Sequence, residues 1–116
     1  VTLAELYRRG TAKAIADATG ADLTEAPIEG GVRVYLTWEN GSTMKIDAYP
    51  DRVHFLTLSS KRRSLYSDLC RTLPDLFRDR GVERFTASPA TPESDAILRK
   101  RGEWHDAPDR GIEWTL

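Results

Sequence analysis

Residues 53–88, VHFLTLSSKRRSLYSDLCRTLPDLFRDRGVERFTAS, decide how this chain folds. The opening run is apolar at both parities, Val53 and Phe55 toward one face, Leu56 and Leu58 toward the other. That pattern predicts a central strand covered on both sides. Leu65, Leu69, Leu73, Leu76 and Phe77 then recur at helical spacing, which predicts a helix over 62–80 closed by Gly81. Pro74 falls inside it and removes the hydrogen bond to the Cys70 carbonyl, so a kink or a restart is expected there. The run VERFTAS reads as the next strand. Strand, helix and strand in succession favour a parallel pair with a right-handed crossover.

Between the first strand and the helix stand Lys61, Arg62 and Arg63. A helix N-terminus already carries partial positive charge, so cations there need an anion or water to relieve them. Two readings stay open. Either this is a solvated helix start capped by Ser59 or Ser60, or it receives a phosphate or an acidic patch of a partner. Three cations without interleaved aromatics disfavour a nucleic-acid groove.

Upstream, Val32, Val34, Leu36 and Trp38 alternate with Arg33, Tyr35, Thr37 and Glu39, and Asn40-Gly41 signals a hairpin. A two-residue loop would set Trp38 against Thr43 and Leu36 against Lys45. Pairing Trp38 with Met44 and Leu36 with Ile46 keeps apolar beside apolar, so a three-residue or otherwise odd connection is expected. Tyr49-Pro50-Asp51-Arg52 makes the next turn. A helix is predicted over 3–19, from the Thr2/Glu5 capping spacing to Gly20, and residues 21–31 read as a breaker-rich loop. Downstream, Thr91-Pro92 opens a short helix ended by Gly102, and Ile112, Trp114 and Leu116 alternate in a last strand.

The expected order is therefore α-β-β-β-α-β-α-β-β, an α/β fold with a mixed central sheet flanked by helices in one domain over 1–116. With 116 residues, 40% apolar and 30% charged, the chain has the composition of a globular domain. Its net charge of −1 supplies no global field for nucleic acid or a membrane surface. No apolar run reaches a membrane span, and VTLAELYRRG lacks the apolar core of a leader; the start at Val1 implies a removed methionine or longer segment. One cysteine, Cys70, rules out an internal disulfide and a cysteine zinc site, in keeping with a cytoplasmic setting. His54 reads as a packed histidine, Cys70 as a buried thiol, and His105-Asp106 as neighbours facing opposite ways.

This order, with the segment 53–88 and SDAILRKRGEW at 94–104, resembles the GNAT N-acetyltransferase fold. The resemblance covers about 32–116, with 3–20 matching the first helix region, and the family's first strand is missing. It implies acetyl-CoA bound where the central strand splays from its parallel neighbour, with Leu58, Lys61, Arg62, Arg63 and Ser64 at the cofactor. The family loop pattern Q/R-x-x-G-x-G/A lets backbone amides cradle the pyrophosphate. Lys61, Ser64 and Tyr66 fall on its three positions, so a phenol ring is expected where the diphosphate needs bare main chain. Leu98 stands where family enzymes often carry a tyrosine proton donor, and Asp47 and Glu39 are base candidates by proximity alone. The resemblance with these departures implies a degenerate acyl-CoA site used as a structural or interaction module, through protein partners or self-association, as among tailed-phage virion components. The alternative is a working acetyltransferase that transfers acetyl to an amine.

Overall fold

The computed structural model describes residues 12–62, 64–109 and 111–116. The first part of the helix expected over 3–19 lies outside them; its described part is α1 (Ala12–Thr19), followed by Gly20 in the left-handed region at φ 71°. Four strands then run as an antiparallel meander: β1 (Asp22–Ile28), β2 (Gly31–Thr37), β3 (Thr43–Ala48) and β4 (Arg52–Ser59). Helix α2 (Leu65–Arg78) crosses to β5 (Arg84–Ala87), which pairs with β4 in parallel. Helix α3 (Pro92–Arg99), β6 (His105–Asp106) and β7 (Ile112–Thr115) complete the order. The result is an α/β architecture with a mixed seven-stranded sheet, β1-β2-β3-β4-β5-β7-β6, and three helices among the described residues.

One strand was not expected. Residues 21–31 contain β1, whose Leu23, Glu25 and Pro27 stand opposite Leu36, Val34 and Val32. Its polar residues and Pro27 disguise it as a loop, yet a sheet edge tolerates proline. The β2–β3 hairpin has the expected three-residue connection, with Trp38 N–H donating to the Ser42 carbonyl at 2.9 Å and Gly41 at φ 89°. The pairing differs by two residues from expectation: Leu36 faces Met44 and Val34 faces Ile46. An even shift leaves every side chain on its expected face.

The two-sided apolar pattern of β4 has another cause than cover on both faces. Ile46 pairs with Phe55 and Lys45 with Thr57, so Leu56 is the extra residue of a β-bulge. Val53, Phe55 and Leu58 therefore share a face with Ala48, Ile46 and Met44, and Leu56 is released toward the end of β5. The buried cluster gathers on that one face, joining Ile15 of α1 and Leu65, Leu69, Leu73 and Phe77 of α2 to the sheet. The other face carries Arg33, Lys45, Asp47, His54, Thr86 and Glu113.

Helix α2 runs through Pro74 as one helix, and beyond it Val82 N–H returns to the Phe77 carbonyl at 3.0 Å with Gly81 at φ 83°. Helix α3 opens as expected, Thr91 Oγ1 accepting from Ser94 N–H at 3.1 Å. Phe85 is fully buried, with ring centroids of Phe55, Phe77 and Trp114 at 5.0, 5.8 and 5.5 Å. Gly102 abuts this cluster: a Cβ there would overlap the Trp114 ring. Truncating Phe85→Ala should cost about 3–5 kcal/mol, read as a lower urea midpoint, a large fraction of a domain's roughly 5–15 kcal/mol.

Candidate functional site

Strands β4 and β5 pair from Arg52 with Arg84 to Phe55 with Ala87, and then part. Strand β4 continues to Ser59 against β3, while the chain after Ala87 turns away through Ser88-Pro89-Ala90. A cavity of about 300 Å³ opens at the parting, walled by Leu56, Leu58, Tyr66, Pro89, Ile97 and Leu98. The bulge helps to create it by displacing Leu56.

Tyr66 lies in the first turn of α2, and its ring spans this cleft. Its hydroxyl donates to the Leu98 carbonyl at 2.7 Å and accepts from Trp104 Nε1–H at 3.0 Å. Burial, then the neighbouring Cys70, pushes the phenol well above its ordinary pKa. The ring is thus a strut between α2 and α3, aimed across the cleft. Leu98 contributes its carbonyl and its apolar side chain to the same wall. Cys70, half-buried, has its thiol pushed up by burial, the opposite of an activated nucleophile.

The basic loop is braced from within. Lys61 N–H donates to the hydroxyl of fully buried Ser42 at 2.8 Å. Arg62 N–H donates to Ser60 Oγ at 3.2 Å, and Leu65 N–H to the Arg62 carbonyl at 3.2 Å. Asp68, in the first turn of α2, pairs with Arg62 at 2.8 Å and also with Arg71. A carboxylate at that turn offsets both the helix dipole and the cations before it. Ser64 is the N-cap residue but makes no side-chain cap, and Leu58 packs partly buried against the core. Arg63 lies outside the described residues. Ser42 and Trp104 were invisible as site residues in sequence; each acts on a segment more than a dozen positions away.

On the polar face of the sheet, a second and more open groove of about 880 Å³ reaches Ala87 and Ser88, which line the cleft as well. His54 lies in it, Nδ1 2.8 Å from Thr86 Oγ1, and burial lowers its pKa, keeping the ring neutral. The base candidates fare differently. Asp47 is buried in a two-point pair with Arg33, at 2.8 and 3.0 Å, and Glu39 sits in the hairpin turn. Across β6 and β7, His105 meets Glu113 at 3.2 Å rather than Asp106. Among the described residues no three side chains converge as metal ligands, and no helix is long and apolar enough to cross a membrane.

No protein-family model, curated protein or solved structure matches this chain.

Tyr66→Phe leaves the Leu98 carbonyl and Trp104 indole without their shared partner and should cost about 1–3 kcal/mol in urea unfolding. His54 gives a pH signature. Its folded pKa lies below 6.5, so stability is lost as pH falls from there through the folded value and is level below it. In a melting series His54→Gln should flatten that acid-side decline, leaving above neutrality only a pH-independent offset from the altered contact with Thr86.

Proposed function

We propose that this chain has a GNAT-like fold whose cofactor cleft has become a structural or interaction module, without a working acyl-CoA site. The parallel β4–β5 pair parting around a cavity, with a basic loop and a helix start beside it, supports the fold reading. One observation carries the functional reading. The amides of Lys61, Arg62 and Leu65, from the loop expected to cradle a pyrophosphate, already donate to Ser42, Ser60 and Arg62. A diphosphate would have to break these bonds before making its own, and each exchange removes gain from binding. Tyr66 adds to this by walling the cleft where a thioester arm would pass, and Arg62 is held by Asp68.

The second reading, an N-acetyltransferase acting on an amine with acetyl-CoA, has one observation in its favour. The groove holding neutral His54 meets the cleft at Ala87 and Ser88, so a base and a cofactor arm would converge there. Thermal-shift titration with acetyl-CoA separates the two, because a ligand bound only by the native state raises the melting temperature. The module reading expects no shift at millimolar acetyl-CoA. A saturable rise of several degrees supports the enzyme and overturns the module.

A further inference from the structure

The parting of the two strands leaves a piece of β4 with main chain exposed along one side. Toward β3 its pairing runs to Ser59; toward β5, among the described residues, it stops at Phe55. Alternate residues along 56–59 thus direct their N–H and C=O groups into the cleft, with no strand beside them among the described residues, inside a sheet rather than at its rim. Such an edge templates another extended chain. The cavity beside it has an apolar wall of Leu58, Tyr66 and Leu98, and its outer lip, Ile97, is 60% exposed. At the far end of the edge stands Lys61, exposed and outside the ion pairs found among the described residues, while Arg62 is engaged by Asp68.

We propose that the cleft docks an extended segment of a partner protein, laid beside residues 56–59 as an added strand. One apolar side chain enters the cavity, and a carboxylate near one end meets Lys61. The alternating donors and acceptors of a strand edge match another main chain along their whole length, whereas a hydrocarbon chain offers them nothing and the pantetheine arm of coenzyme A only two amides. The volume, about 300 Å³, stands at the lower end of the ligand-pocket range of roughly 300–1,000 Å³ and suits inserted side chains better than a nucleotide cofactor. The free cation supplies the charge preference and the orientation. This docking rests on the module reading of the cleft.

The probe is a yeast-displayed library of random heptapeptides selected on the full chain, with the winners synthesised and followed by hydrogen exchange. Enriched peptides should alternate apolar residues, carry an acidic residue near one end, and slow exchange at residues 56–59. Lys61→Glu and Ile97→Asp, both exposed changes, should each weaken binding by about tenfold, with the Lys61 effect largest at low salt. An unenriched library, protection confined to another part of the sheet, or affinity indifferent to both substitutions overturns the docking site. Coenzyme A that displaces a bound peptide places the cofactor in the same cleft and counts against the module reading alone.

Discussion

A strand that leaves its parallel neighbour in the middle of a sheet exposes main-chain donors and acceptors next to an apolar core, and those groups need partners. Much of this molecule is arranged around that requirement at the end of β4. The loop that follows is secured by Ser42, whose hydroxyl is brought there by the β2–β3 hairpin and takes the Lys61 amide. The opposite wall is secured by Tyr66, which closes the gap to α3 by satisfying the Leu98 carbonyl and Trp104 together. The short edge at residues 56–59 is left for something else.

The same constraint explains why the bulge matters. Without Leu56 as an extra residue, Leu58 would fall on the polar face and the core side of Met44 would lose its cover. With it, all three apolar residues of the strand interior serve one core, and the displaced leucine lines the cleft. Helix α3 contributes no buried side chain, and polar contacts tie it down: those of the Leu98 carbonyl with Tyr66, of Arg99 with Asp106, and of Arg101, just beyond the helix, with Ser67 at 2.9 Å. A lip held this way can adapt to an occupant more readily than a wall packed into the core.

Most of the fold was legible because it is written in period and punctuation. The α2 leucines, the alternation of β2, the Asn40-Gly41 turn and the Thr91-Pro92 cap are local signals, and local physics fixes them. The misses have non-local causes. Strand β1 is polar with a proline and is a strand only because β2 offers it an edge. The bulge is a misalignment between two strands, which a single strand's residues cannot display; they mimicked a strand covered on both sides instead. In the site, the placement of the basic loop between β4 and α2 could be anticipated; that the Tyr66 ring reaches across the cleft to α3, and that the loop's partner, Ser42, comes from a hairpin turn, could not. Asp47 looked available by proximity and is bound by Arg33.

Exclusion of a diphosphate depends on the Lys61, Arg62 and Leu65 amides being held by the protein itself. The direct test is a crystal structure of the chain grown with millimolar coenzyme A. It should show the Lys61 amide still on Ser42 Oγ and no nucleotide at the loop. A pyrophosphate resting on the amides of residues 61–65, with Ser42 released and Tyr66 swung out of the cleft, would contradict it.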